Sequence, residues 1–98
     1  MKRLRLSQQA DDDILLLYVE GAYRFGREAA ENYYSGLQRT LAFLSEYPFA
    51  ARERLEISPP VGIHPFRTHV IVYIVDDQDV LILRVRHARE DWGPRPRD

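Results

Sequence analysis

The sequence predicts an α+β fold in which an N-terminal helical hairpin packs on one face of a small antiparallel β-sheet. Three observations carry that expectation. Apolar residues recur at helical spacing from Ala10 to Leu44, first on one helix and then, after Phe25-Gly26-Arg27, on a second. Two β-branched runs, His69 to Val75 and Val80 to His87, are separated by the polar turn DDQD, the pattern of a β-hairpin. With 98 residues the chain has enough surface to bury for one core and not for two, so residues 1–98 are expected to form one domain.

Lys2 to Leu6 alternates charged and apolar residues and predicts a short edge strand. Ser7 is a suitable N-cap for the first helix, and Asp11, Asp12 and Asp13 complement the positive end of its macrodipole. Ala10, Ile14, Leu17, Tyr18, Gly21 and Phe25 then share one face, and Gly26 supplies the stop. The second helix is predicted from Arg27 to Tyr47 on the stripe Ala30, Tyr33, Tyr34, Leu37, Leu41 and Leu44, and Pro48 ends it.

The first helix carries a second apolar stripe, Leu15, Leu16, Val19 and Tyr23, roughly opposite the first. A helix that is apolar on both sides needs cover on both sides. In a domain this small that cover comes either from the rest of the chain or from a partner.

Pro48, Pro59, Pro60 and Pro65 mark the middle as loop-rich, with a short strand expected at Val61 to His64. After His87 the segment AREDWGPRPRD is polar and broken by proline, which predicts a tail from about residue 88 with Trp92 as its only anchor.

The balance of 45% apolar and 30% charged residues is that of a soluble globular protein, and no run approaches the length of a membrane span. The N-terminus has no apolar stretch of the secretory type, so a cytoplasmic location is expected. Without cysteine there is neither a disulfide framework nor a thiolate metal site. A net charge of -1 argues against a general nucleic-acid coat. The charge is unevenly placed, because residues 7–53 hold eight acids and four bases whereas residues 80–97 hold five arginines. All cations except Lys2 are arginine, which suits bidentate contacts to carboxylate or phosphate.

If Val75 pairs with Val80, Ile74 meets Leu81, Val72 meets Leu83 and Val70 meets Val85. Those wholly apolar pairs are expected beneath the helices. Tyr73 with Ile82, Ile71 with Arg84 and His69 with Arg86 then fall on the outer face, while His87 turns to the core side. An outer face of isoleucines beside arginines would make a mixed apolar and cationic groove for a peptide.

From LRLS through Tyr18, Phe25-Gly26 and Tyr33 to GIHPFRTHVIVYIV and VLILRVRHAREDW, the chain resembles the ParE-type toxins of the RelE/ParE superfamily of toxin-antitoxin systems. The most specific part is the His-x-Ile-x-Tyr strand followed by an Arg-Val-x-His strand with a trailing Asp. The resemblance implies a curved antiparallel sheet under the hairpin, a ParD-like antitoxin that wraps and neutralises the toxin, and DNA gyrase as the target, poisoned by binding without catalysis, cofactor or metal. Nucleic acid would enter only through the antitoxin or the target complex, and no membrane is implied.

On that reading Leu15, Leu16, Val19 and Tyr23, together with His69, Ile71, Tyr73, Ile82, Arg84 and Arg86, are the candidate antitoxin contacts. Arg89, Trp92 and Arg95 are the candidate target contacts, tryptophan and arginine being residue types that dominate binding energies. The alternative is a RelE-like ribosome-dependent mRNA endonuclease, with His69 or His87 as base or acid, Arg67, Arg84 and Arg86 on the phosphate and Tyr73 in support. That branch usually carries several lysines and a strongly basic surface, which this chain lacks. A member with neither activity, kept for antitoxin binding and operon regulation, is a third possibility. The three acids Asp76, Asp77 and Asp79 sit in one tight turn without further ligands, so they are expected to be solvated and not to hold a metal.

Overall fold

A computed structural model describes residues 1–89. In chain order the elements are β1 (Arg3–Leu6), α1 (Gln8–Phe25), α2 (Arg27–Glu46), β2 (Glu53–Arg54), β3 (Val61–Phe66), β4 (His69–Val75) and β5 (Asp79–His87). The strands form one sheet in the order β1-β5-β4-β3-β2, and both helices lie over one face of it.

The helices start and stop where the chemistry requires. Ser7 Oγ accepts from Ala10 N at 3.0 Å, satisfying one free amide of the first turn of α1. The same hydroxyl donates to the Leu83 carbonyl at 2.8 Å, while Ser7 N donates to the Ile82 carbonyl at 2.9 Å. One serine thus caps the helix and fixes its entry to β5. Between the helices Gly26 takes φ 95°, a region that side chains avoid, so the hairpin turns without strain. Leu37, Leu41 and Leu44 of α2 and Ala10 and Ile14 of α1 enter the core as expected from their spacing.

The sheet departs from the expectation in three ways. It is mixed, because β1 runs parallel to β5, Arg3 beside Asp79 through Leu6 beside Ile82. The short β2, paired with Val61 and Gly62, has no alternating pattern and was not foreseen. In the β4–β5 hairpin, Val75/Val80, Ile74/Leu81 and Tyr73/Ile82 pair as expected, but the ladder then shifts and Val72 meets Arg84, Ile71 meets Val85, Val70 meets Arg86 and His69 meets His87. Leu83 is the extra residue of a β-bulge, which alters the side of everything after it.

The core face is also the opposite of the expected one. Ile71, Tyr73, Val80 and Ile82 are fully buried beneath the helices, with Val85 beside them after the bulge. Tyr73 lies under the 48–51 loop, where its hydroxyl donates to the Pro48 carbonyl at 2.9 Å, and burial pushes its phenol above the ordinary tyrosine range. Gly62 faces it across the β3–β4 ladder, where a Cβ would stand only 2.7 Å from Tyr73 Cζ, so the ring is seated against bare backbone. Both faces of this hairpin are apolar. A count of apolar pairs therefore could not choose between them.

Candidate functional site

The first surface is the outward side of α1. Leu15, Leu16, Val19 and Tyr23 are 63%, 58%, 53% and 91% exposed. Among the described residues nothing covers this stripe, so the possibility that the rest of the chain does so is not met there. Phe25, assigned from its spacing to the inner face, is also exposed at the helix end. A contiguous apolar strip on a small protein marks an interaction site.

The second surface is a cleft of about 310 Å³ beside that stripe, between α1 and the far half of β5. Leu16, Leu17 and Glu20 form one wall; Val85, Arg86 and His87, with His69 behind them, form the other. It opens there because β1 pairs only with Asp79 to Ile82, which leaves the rest of β5 without a strand on that side. Asp13 partly closes this edge. Its carboxylate accepts from Arg84 Nε at 2.8 Å, Arg84 Nη2 at 2.9 Å and the Val85 amide at 2.9 Å. Burial alone would push the Asp13 carboxyl up, but the hydrogen bonds from Arg84 and Val85 and the charges of Arg84 and Arg86 outweigh it and hold the group below the ordinary carboxylate range. The pair is mostly withdrawn from water, with side-chain exposures of 33% for Arg84 and 14% for Asp13.

A third group gathers at the same end of the sheet. The Tyr33 hydroxyl hydrogen-bonds His69 Nδ1 at 2.8 Å and Thr68 Oγ1 at 3.2 Å. The His69 and His87 rings meet edge to face at 5.4 Å, and the Arg67 guanidinium lies 5.5 Å from the Tyr33 ring centroid. His87 Nδ1 accepts the Arg89 amide at 3.1 Å, which closes the strand end. Arg67 holds φ 54° in the two-residue turn between β3 and β4, a left-handed position unusual for a non-glycine residue.

These positions correct several assignments. Ile71, Tyr73 and Ile82 are 0% exposed and belong to the core, so they cannot be contacts for an antitoxin on the folded chain. His69 shares a side with His87, not with the arginines, because the bulge brings the two histidines opposite each other. Arg84 is engaged by Asp13 and is not a loose outer-face charge. Arg86 and His69 both border the cleft. Arg89 is exposed just after β5, and Trp92 and Arg95 lie outside the described residues.

Three features escaped the sequence reading. Asp13 was visible there only as a helix-dipole acid, yet of the three aspartates it alone sits on the inward flank of α1, three residues after Ala10 and four before Leu17. An acid on that flank demands a cation, which was the available signal. Tyr33 was legible only as part of a core stripe. A second exposed aromatic surface, Phe43 and Tyr47 with rings 5.2 Å apart at the end of α2, lies off the core stripe, and its four-residue spacing was the available signal.

The family model for the ParE toxin of the type II toxin-antitoxin system parDE matches residues 4–92. The chain belongs to the ParE toxin family. Among solved structures, a chain of the chromosomal ParDE TA system from P. aeruginosa is similar with a TM-score of 0.77 and 18% identity, covering 89% of this chain and 96% of that one. At that identity the likeness concerns the fold: in this ParE toxin too, a helical hairpin sits on one face of a small sheet. No curated protein sequence matches significantly. No helix among the described residues of the toxin is long and apolar enough to cross a membrane.

Proposed function

We propose that this ParE toxin acts in the cytoplasm by binding DNA gyrase without chemistry of its own, and that a ParD-like antitoxin neutralises it by covering the outward stripe of α1 and the adjoining cleft against β5. The observation that supports the antitoxin part is the continuity of the two surfaces. Leu16 belongs to the exposed stripe and also lines the cleft whose other wall is Val85, Arg86 and His87. An apolar strip that runs into a cleft lined by apolar side chains and by charges of both signs suits a segment with an apolar face and mixed polar residues beside it. The gyrase part is drawn from the family.

The placement of the would-be nuclease residues supports a non-catalytic reading. Tyr73 is buried with its hydroxyl on a backbone carbonyl, and Arg84 is held by Asp13, so neither is presented to a scissile phosphate. His69, His87 and Arg67 do lie near one another, which makes them the residues to substitute in a control.

Purified toxin added to gyrase and relaxed plasmid is expected to block supercoiling and to accumulate cleaved DNA. Gyrase that stays fully active at stoichiometric excess of toxin would remove the target assignment. Messenger RNA cut on translating ribosomes, and abolished by His69→Ala, would replace it with the nuclease reading. Leu15→Glu and Val19→Glu are expected to weaken antitoxin binding by at least tenfold while leaving the circular dichroism spectrum unchanged; unchanged affinity would remove the stripe from the interface.

A further inference from the structure

We propose that a hollow between α1 and α2, on the other flank of α1 from the cleft, holds the guanidinium of an arginine carried by the antitoxin segment that covers the stripe. The hollow has a volume of about 500 Å³ and draws its lining from β1, α1 and α2. Its floor is apolar, made by the half-buried Leu6 and by Ile14, which is 9% exposed. Above the floor stand the half-buried rings of Tyr18 and Tyr34, and at the mouth the exposed Asp11, Leu15 and Glu31. Asp11, Ile14, Leu15 and Tyr18 reach one side of α1 because residues three, four and seven apart share a helix face, and Glu31 and Tyr34 do the same on α2.

Both charges in this lining are negative, and no basic side chain among the described residues joins them. The Asp11 carboxylate has no hydrogen-bond or ion-pair partner among the described residues. Glu31 Oε2 accepts from the Tyr18 hydroxyl at a loose 3.4 Å. The chain's own cation beside it, Arg27, brings Nε to 4.0 Å, with side-chain exposures of 83% for Arg27 and 60% for Glu31. A pair so long and so exposed contributes little, so Glu31 can turn to an incoming cation at small cost.

The two tyrosines select the kind of cation. Their centroids are 6.1 Å apart with the rings edge to face at 74°, so the ring that offers its edge keeps both faces clear of the other. A flat guanidinium stacks on such a face, its stem lies along Leu6 and Ile14, and its fork reaches the carboxylates. A lysine ammonium is a compact, strongly hydrated charge and gives up the stacking. Leu15 borders both the hollow and the exposed stripe, so a segment that lays an apolar side chain on the stripe reaches the hollow with a neighbouring one.

Nuclear magnetic resonance spectra of the isotope-labelled full chain, titrated with acetyl-arginine amide, are expected to show saturable shifts at Leu15, Tyr18 and Tyr34. Acetyl-citrulline amide, the neutral isostere, and acetyl-lysine amide should each bind about fivefold more weakly. Tyr34→Leu should lower the affinity for arginine about fivefold and Glu31→Gln about threefold, and Glu31→Gln, an exposed change, reports even where Tyr34→Leu disturbs the packing of the helices. Saturation with the cognate antitoxin should abolish the shifts. Citrulline or lysine binding as tightly as arginine, shifts centred on the acidic turn from Asp76 to Asp79, or shifts that persist in the antitoxin complex would each overturn the proposal. It rests on the antitoxin reading above, and the two fail separately: unchanged antitoxin affinity of Val19→Glu removes that reading and leaves the arginine shifts of free toxin, whereas absence of those shifts removes the hollow and leaves the effect of Val19→Glu.

Discussion

Asp13→Asn should be among the most destabilising single-atom changes in the helical half of the molecule. The carboxylate accepts three hydrogen bonds, two from the Arg84 guanidinium and one from the Val85 amide, and together they tie α1 to the part of β5 that β1 does not reach. An amide retains one acceptor oxygen and turns an NH2 group towards donors. A hydrogen bond to a charged group contributes about 1.5–3 kcal/mol, and an unsatisfied buried donor costs about 1–3 kcal/mol. Because Arg84 is a third exposed, solvent screens part of the charge contribution, and we expect a net loss of about 2 kcal/mol. In a domain of this size that lowers the midpoint of thermal unfolding by roughly 8–16 °C. The pH dependence has a definite sign. The folded carboxyl titrates below its unfolded value, so its contribution is complete above about pH 4–5 and is lost as pH falls through the folded value. Urea unfolding of wild type and Asp13→Asn at pH 7 and again near pH 3 is the assay. A difference below about 0.5 kcal/mol at pH 7, or one that does not shrink in acid, refutes the reasoning.

The other predictions concern the sheet. Gly62→Ala should destabilise by about 1–3 kcal/mol, since the new methyl would stand 2.7 Å from Tyr73 Cζ and the ring is pinned by its bond to Pro48; an unchanged urea midpoint would contradict that geometry. Tyr73→Phe should cost about 1 kcal/mol by removing that hydrogen bond while keeping the packing, measured by the same unfolding curve. Asp79→Asn should loosen β1, because the Asp79 carboxylate accepts from Arg3 and Arg5 across the parallel pair, and faster amide exchange at Arg5 and Ser7 is the readout. The Asp79 carboxyl is held below the ordinary range first by the Arg3 hydrogen bond, so this latch too is present at neutral pH and weakens in acid.

What was legible in the sequence follows from which interactions are local. The helices, their caps and the hairpin turn rest on contacts within a few residues, and Ser7, Gly26 and the DDQD turn announced them. The stripe Leu15, Leu16, Val19 and Tyr23 was visible for the same reason, since helical periodicity reports both sides of a helix at once. The bulge at Leu83 was not visible: the segment LILRV is continuous and apolar enough to pair in either register, and the extra residue is selected by tertiary partners. Ser7 holds Ile82 and Leu83 at one position, while Asp13 holds Arg84 and Val85 at the next. The same continuity hid the parallel pairing of β1, for alternation identifies a strand and says nothing of its neighbour's direction.

The bulge links these structural facts to the functional reading. Without it, strict alternation from the buried Ile82 would put Arg84 on the core side and Val85 on the outside. With it, Val85 turns into the core beside Ile71, and Arg84 is placed to meet Asp13 at the strand edge. The far end of β5 lies beyond the reach of β1 and beside α1, and the walls of the cleft come from that approach. An antitoxin segment entering the cleft would meet Arg86 and His87 beside an apolar floor, with Arg84 already neutralised by Asp13. Acids on the antitoxin are therefore not expected to pair with Arg84. Arg84→Ala should weaken the complex no more than its loss of fold stability accounts for, and a larger effect would place an antitoxin acid on Arg84.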